Sequence, residues 1–125
     1  MVTEYEWLLM GAWELDLITT DRKNGLPRTD ELWFGYQNDY VYLLSGLDAS
    51  RTPTHWYRNL QAHAQAILRV KGRNVSVQAE PVSEEDHETV TNHTLELLLT
   101  KYGLKVMWQR YEGCEFLPIK LRVMV

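Results

Sequence analysis

Strand-like segments that follow one another in adjacent pairs constrain the fold of this chain more than any other feature. The segment WELDLITT, residues 13–20, alternates apolar and polar side chains, as a strand with one buried face does. The dipeptide Asn24-Gly25, typical of tight turns, separates it from a second strand-like segment, ELWFGY at 31–36. A third, YVYLLSG at 40–46, follows across a short polar turn, so three strands are predicted before the first helix.

The rest of the chain adds two helices and three more strands. A helix is predicted from Pro53, and AILRV and NVSVQAE then form a hairpin around residues 71–73. A second helix begins after Ser83 and runs to about Lys101, and an irregular aromatic segment leads to the last strand, FLPIKLRVMV. Because most strands are neighbours along the chain, we predict one mainly β (α+β) domain over residues 1–125, a small barrel of about six antiparallel strands with two main helices.

The cysteine count, the N-terminal segment and the net charge exclude several classes of protein. With Cys114 as the single cysteine, the chain has no intramolecular disulfide and no multi-cysteine metal cage. The N-terminal apolar run has no basic leader and is too short for a membrane span, which predicts a cytoplasmic protein. The net charge is −4, yet residues 22–73 carry +4 and the remainder −8. An acidic chain with a basic middle is a poor candidate for nucleic-acid binding and favours a local site for a small anion.

The first candidate site in the basic middle is a hairpin turn. The sequence DRKNGLPR places Arg22, Lys23 and Arg28 around one reversal of the chain. Three cations on a rigid support can converge on a phosphate. The alternative is an ordinary solvated hairpin tip.

The second candidate is the start of the first predicted helix, where unpaired backbone N–H groups attract anions. Ser45 and Gly46 precede it, and a glycine there lets a flat ligand approach the backbone closely. Arg58 adds a positive charge, and Trp56 and Tyr57 could wall an aromatic ring. Plain core packing is the alternative for Trp56.

The remaining reactive side chains predict neither a metal site nor a nucleophile. His87 and His93 lie six residues apart, on different faces of the second helix. His55 and His63 could share a face, but no carboxylate or cysteine completes a ligand set. Cys114 has no evident histidine partner nearby in the sequence.

The combined pattern LITTDRKNGLPRT–LWF–VYLLSG–PTHWYRNLQAHAQAILRV resembles the deazaflavin-dependent nitroreductase family. That family belongs to the split β-barrel flavin-binding group, which includes the pyridoxamine 5'-phosphate oxidase-like (PNPOx-like) proteins. The resemblance covers about residues 13–80 and returns in KYG and LPIKL. Its most specific part is the segment Trp56-Tyr57-Arg58-Asn59-Leu60.

The resemblance implies an oxidoreductase of the nitroreductase or quinone-reductase type. In such an enzyme reduced coenzyme F420 (8-hydroxy-5-deazaflavin) gives a hydride to an electron-poor small molecule such as a quinone, a nitroaromatic or an enone. The cofactor-binding residues implied are Arg22, Lys23, Arg28, Ser45, Gly46, Pro53, Trp56, Tyr57 and Asn59. The first three would hold the phosphate, and the others would lie beside the ring or at the helix start.

The irregular segment before the last strand offers candidates for a lid over the cofactor. They are Tyr102, Trp108 and Tyr111, and a lid tyrosine could protonate the product. Their alternative role is edge packing over the barrel.

The chain also departs from the family pattern. Asp21 and Asn24 replace the glycine and serine usual in the phosphate turn, and Asp30 and Glu31 follow where the family often has apolar residues. These changes leave FMN open as the cofactor. They also leave two rival classes: a non-catalytic barrel that binds a flavin- or haem-type cofactor, and an interaction domain whose aromatic residues form a homodimer interface.

Overall fold

The computed structural model describes residues 3–111 and 113–124. In these ranges the chain forms seven strands: β1 Leu15–Thr20, β2 Pro27–Leu32, β3 Gly35–Gln37, β4 Tyr40–Gly46, β5 Gln65–Val70, β6 Arg73–Glu80 and β7 Phe116–Val123. It also forms four α-helices: α1 Glu4–Gly11, α2 His55–Ala62, α3 His87–Tyr102 and α4 Leu104–Tyr111. A single 3₁₀ turn, Glu84–Asp86, leads into α3.

The strands form one antiparallel sheet in the order β2-β1-β5-β6-β7-β4-β3. Within the described residues, β2 pairs only with β1, and β3 pairs only with the first half of β4. The edge of β2 and the second half of β4 therefore lack a strand partner on one side. The sheet is open there, so the edges that full barrel closure would remove are present.

Local sequence accounts for most of the strands. In β1, Leu15, Leu17 and Thr19 are buried and the residues between them are half-buried, as the alternating pattern predicts. The β1–β2 turn contains Gly25 with φ +73°, a left-handed conformation that glycine adopts without strain. The β5–β6 hairpin turns at Lys71 and Gly72, both with positive φ, as a two-residue turn requires.

The core lies between the buried face of the sheet and the helices. The fully buried residues Leu17, Leu43, Leu68 and Leu121 come from four different strands. Helix α2 adds Leu60 to this core, since its apolar residues share one face. Among the described residues, no helix is long and apolar enough to cross a membrane.

The structure differs from the sequence-based prediction in three elements. Helix α1 was not predicted, and the segment expected to be an irregular connection contains helix α4, which begins after Gly103 with φ +93°. The predicted strand 31–36 is interrupted at Trp33 and Phe34. There α3 supplies the bonds: Lys101 donates to the Phe34 carbonyl (3.1 Å), and the Phe34 N–H donates to the Tyr102 hydroxyl (3.4 Å).

Candidate functional site

A cleft of about 630 Å³ opens where the sheet is unpaired, between the end of β2 and the end of β4. The loop after β4, the start of α2 and the segment after α4 complete its walls. Lining residues that bear on function are Leu32, Trp33, Gly46, Thr54, Trp56 and Tyr111. Two of the residues implied by the family resemblance, Gly46 and Trp56, therefore meet in one cleft.

Gly46 gives the cleft a flat floor. A Cβ atom built on this residue would meet no atom within 4 Å. A larger side chain would therefore project into open space, and the glycine leaves room for a planar group against the backbone. This is the feature of the site that best fits a flavin-type ring.

Ser45 and Thr54 fix the start of α2 against the end of β4. Ser45 is fully buried, and its Oγ accepts a hydrogen bond from the Thr54 N–H (3.0 Å) and lies 2.9 Å from the Thr54 hydroxyl. The Ser45 side chain is thus engaged inside the protein. Pro53, just before the helix, pairs with Leu47 in an isolated bridge and does not line the cleft.

Trp56 and Tyr57 belong to the core. Trp56 is only 4% exposed, although one side of it lines the cleft, and Tyr57 packs edge-on against it with ring centroids 6.3 Å apart. Burial raises the pKa of the Tyr57 hydroxyl. Tyr57 does not reach the cleft. Trp56 is thus both a core residue and a cleft wall, so its two sequence-based interpretations are compatible.

Asn59 joins α2 to the basic turn. Its side chain is fully buried, its Nδ2 donates to the Thr19 hydroxyl (3.1 Å), and its Oδ1 accepts from Arg22 twice, from the backbone N–H (3.1 Å) and from Nη1 (2.9 Å). The Arg22 guanidinium is therefore directed at the helix. Asn59 holds the cationic turn in place from within and does not line the cleft.

Cations gather on the other side of the first turn of α2. The pKa of His55 is lowered by desolvation first and then by four positive charges, those of Arg28, Arg58, Arg22 and Lys23. Arg58 Nη2 lies 3.4 Å from His55 Nδ1, and the buried Arg58 Nε has no hydrogen-bond partner among the described residues. This end of the molecule therefore presents a positive surface suited to an anion.

The positive surface and the cleft are separate but adjacent. Arg22, Lys23 and Arg28 do not line the cleft. Strand β2, however, runs from Arg28 near the basic turn to Leu32 at the cleft, a span of roughly 13 Å at the usual rise of a strand. Helix α2 bridges the same gap, with His55 among the cations and Trp56 at the cleft. A ligand with a ring at one end and an anionic tail fits this arrangement.

Of the three lid candidates, the structure places only Tyr111 at the cleft. Tyr102 stacks on Trp33 with centroids 4.1 Å apart and donates from its hydroxyl to the Trp13 carbonyl. Burial raises the pKa of Tyr102 to about 12. Trp108 is 62% exposed and does not line the cleft. Tyr102 therefore performs the edge-packing role.

Sequence reasoning missed a second group of cleft residues. The Arg110 guanidinium lies 4.0 Å from the centroid of the Trp33 ring, and both residues line the cleft. Tyr111 packs edge-on against Phe116 (5.2 Å), and burial raises its pKa. Arg51 and Glu115 form an ion pair beside these residues. In this group Tyr111 was already a lid candidate and Trp33 lay within the LWF segment of the family pattern, whereas no sequence signal pointed to Arg110.

No group of three or more His, Cys, Asp or Glu residues in the described ranges could hold a metal ion.

Several solved structures share this fold. An F420 reductase is 16% identical, with a TM-score of 0.64 over 100% of this chain and 97% of its own. A candidate pyridoxamine 5'-phosphate oxidase from Listeria innocua is 11% identical, with a TM-score of 0.62 over 98% and 92%. The haem storage protein HutZ from Vibrio cholerae is 16% identical, with a TM-score of 0.67 over 98% and 89%. The predicted split β-barrel, PNPOx-like fold is confirmed.

The chain belongs to the family of F420H2-dependent quinone reductases, whose family model matches residues 5–110. It is accordingly an oxidoreductase, and its cofactor is coenzyme F420, as the resemblance implied. Comparison with curated protein sequences gives no significant match.

Proposed function

We propose that the chain binds the F420 ring in the cleft beside Gly46 and reduces an electron-poor small molecule there, such as a quinone, a nitroaromatic or an enone. The phosphate would lie at the surface formed by Arg22, Lys23 and Arg28. The observation that carries this proposal is the juxtaposition of an open glycine-floored cleft with a cationic surface on one helix start. An elongated, anionic, flat cofactor needs both.

When bound in its reduced form, the cofactor supplies the hydride. The chain's own residues position the reactants and exclude water. Gly46 lets the ring approach the backbone, and Trp56 and Trp33 wall the cleft with apolar surface. Arg110 places a positive charge where the reduced acceptor gains negative charge.

Tyr111 is the proposed proton donor to the reduced acceptor. The hydroxyl is protonated at neutral pH, and because burial raises its pKa it would give its proton only to an acceptor oxygen made strongly basic by reduction. Its ring lies in the cleft wall next to Arg110. The proton would pass from the Tyr111 hydroxyl to the acceptor oxygen, and water would restore it.

Substitution of Gly46 tests the ring position. The Gly46→Val side chain would fill the open floor of the cleft, and we expect at least a tenfold loss of F420 affinity in a fluorescence titration. The control is Ala62→Val, at the exposed last residue of α2, which should bind F420 normally. Normal F420 binding by Gly46→Val would exclude the proposed pose.

Turnover is tested with the unaltered protein. Reduced F420 is mixed with the protein and a quinone, a nitroaromatic or an enone, and the return of the oxidised deazaflavin absorbance is followed. Oxidation that depends on both the protein and the acceptor supports a reductase. Binding without oxidation by any of the three acceptors would reject the proposed acceptor classes.

A second candidate is a barrel that binds its cofactor without turnover, and Asp21 is the observation that favours it. An acidic side chain lies in the turn expected to hold phosphate, 4.0 Å from the Arg28 guanidinium. Parallel titrations with F420, FMN and haem test this candidate: tight binding of FMN or haem, with no oxidation of F420H2, would select it. The homodimer and the cytoplasmic location stay predictions, and light scattering of the purified protein tests the first.

A further inference from the structure

The turn between β1 and β2 already contains an anion of its own. Asp21 Oδ1 accepts hydrogen bonds from the Lys23 N–H (2.8 Å) and the Asn24 N–H (3.1 Å). The Asp21 side chain is only 15% exposed, and its other oxygen lies 4.0 Å from Arg28 Nη1. The carboxylate thus sits among the donors that the turn offers.

Those donors are the ones a phosphate would use. Successive backbone N–H groups in a turn form a concavity that binds anions. Here Lys23 and Asn24 direct their N–H groups at Asp21, and these two bonds are the main reason that the pKa of the Asp21 carboxyl lies below its usual value. The side chain is therefore ionised at neutral pH, and an incoming phosphate would meet both occupied donors and a like charge.

The cations of the turn are also partly committed. The Arg22 guanidinium donates to Asn59 Oδ1 within the protein (2.9 Å), and Arg28 lies next to Asp21. Lys23 is exposed, and its charge contributes to the lowered pKa of His55. The positive charge left for a cofactor tail is thus smaller than the count of basic residues suggests.

We propose that Asp21 is a specificity-determining residue that occupies the phosphate-binding turn and weakens binding of the phosphate-bearing tail. The chain then holds the cofactor mainly by its ring, and discriminates little between F420 and the phosphate-free form of the same deazaflavin. The inference rests on the proposed function of the cleft, because it needs the ring to bind there.

The variant Asp21→Asn isolates the charge. Asparagine keeps the size of the side chain and an oxygen that can accept from Lys23 and Asn24, so the turn is preserved. We expect F420 affinity to rise about tenfold, the effect of removing one like charge a few ångströms away at a protein surface. Affinity for the phosphate-free deazaflavin should not change. Asp21→Ser, which also keeps an acceptor oxygen, is the second variant should the first fold poorly.

Glu31→Gln is the matched control. It removes one negative charge from the exposed face of β2, in the same hairpin, but away from the turn donors. The ratio of the affinity for F420 to the affinity for the phosphate-free deazaflavin should be the same in this variant as in the original chain. A similar gain for Glu31→Gln would show that net charge, and not the position of Asp21, sets the affinity.

The ratio of affinities separates the proposals. A gain confined to F420 in Asp21→Asn supports the inference, and an equal change for both ligands, or none, overturns it and indicates a purely structural role for Asp21. If the phosphate-free deazaflavin binds the original chain and Gly46→Val blocks it, the proposed ring site stands whatever Asp21→Asn does. If neither deazaflavin binds any variant, the ring site and the inference both fail.

Discussion

Replacing Asn59 with alanine tests whether one buried amide holds the cationic turn to α2. The side chain has no exposed area and makes three hydrogen bonds, two with Arg22 and one with Thr19. The bond from the charged guanidinium is worth about 1.5–3 kcal/mol, and the two neutral bonds roughly 0.5–1.5 kcal/mol each. Because half-buried Arg22 can partly turn to water, we expect a loss of about 3–4 kcal/mol in the free energy of unfolding.

Urea denaturation followed by tryptophan fluorescence measures this loss, with the midpoint and the slope fitted together. The control is Gln61→Ala, an exposed change on the same helix, which should stay within about 0.5 kcal/mol of the original chain. A loss below about 1 kcal/mol for Asn59→Ala would refute the reasoning, because the three bonds could not then be what fixes the turn. A loss of F420 affinity without a loss of stability would instead return Asn59 to the ligand-binding residues.

Further predictions follow from the electrostatics and the packing. Desolvation, and then nearby cations, hold the pKa of His55 below 6.5, so Arg28→Ala should raise that pKa. NMR titration of the His55 ring protons would measure the change. An unchanged pKa would show that Arg28 is not part of the cationic cluster around His55. The folded state favours neutral His55, because the pKa of His55 is lower in the folded chain than in the unfolded chain. The contribution of His55 to stability is therefore complete above pH 6.5, the unfolded pKa, and is lost as the pH falls through the folded pKa. Gly35→Ala should lower the free energy of unfolding by about 1–3 kcal/mol, because the new Cβ would lie 2.8 Å from Leu97 Cβ. Gly46→Ala places its Cβ in open space and should lower the free energy of unfolding by less than about 0.5 kcal/mol in the same urea assay.

Local patterns accounted for most of the sheet. The alternation of Leu15 and Leu17 with polar residues identifies a strand by its two-residue period alone, and Asn24-Gly25 identifies a tight turn by its backbone preference alone. Five strands were therefore predicted close to their observed positions. Gly46 was also identified from local sequence, because a glycine has no side chain to keep a flat ligand away from the backbone.

Long-range contacts decided the elements that the sequence did not predict. Trp33 leaves the sheet because α3, almost seventy residues later, bonds the Phe34 backbone. Helix α4 is amphipathic, but its apolar residues Leu104 and Trp108, one turn apart on the same face, are exposed, and the sequence-based prediction treated the segment as an irregular connection.

The role of Asn59 could not be predicted either, because its partners, Arg22 and Thr19, lie 37 and 40 residues away in the chain. An asparagine within a helix gives no local sign that its amide is fully bonded.

The cleft has one wall built from the sheet and one built from a short helix that follows Gly103. Gly46 and Leu44 belong to β4, which is bonded to β7 along its whole length, whereas Arg110 and Tyr111 lie on α4, outside the sheet. Substitutions on α4 can therefore diverge among relatives without disturbing the β-scaffold. Selection for a different small molecule can therefore change the α4 wall of the cleft, whereas the β4 wall stays bound by its pairing with β7.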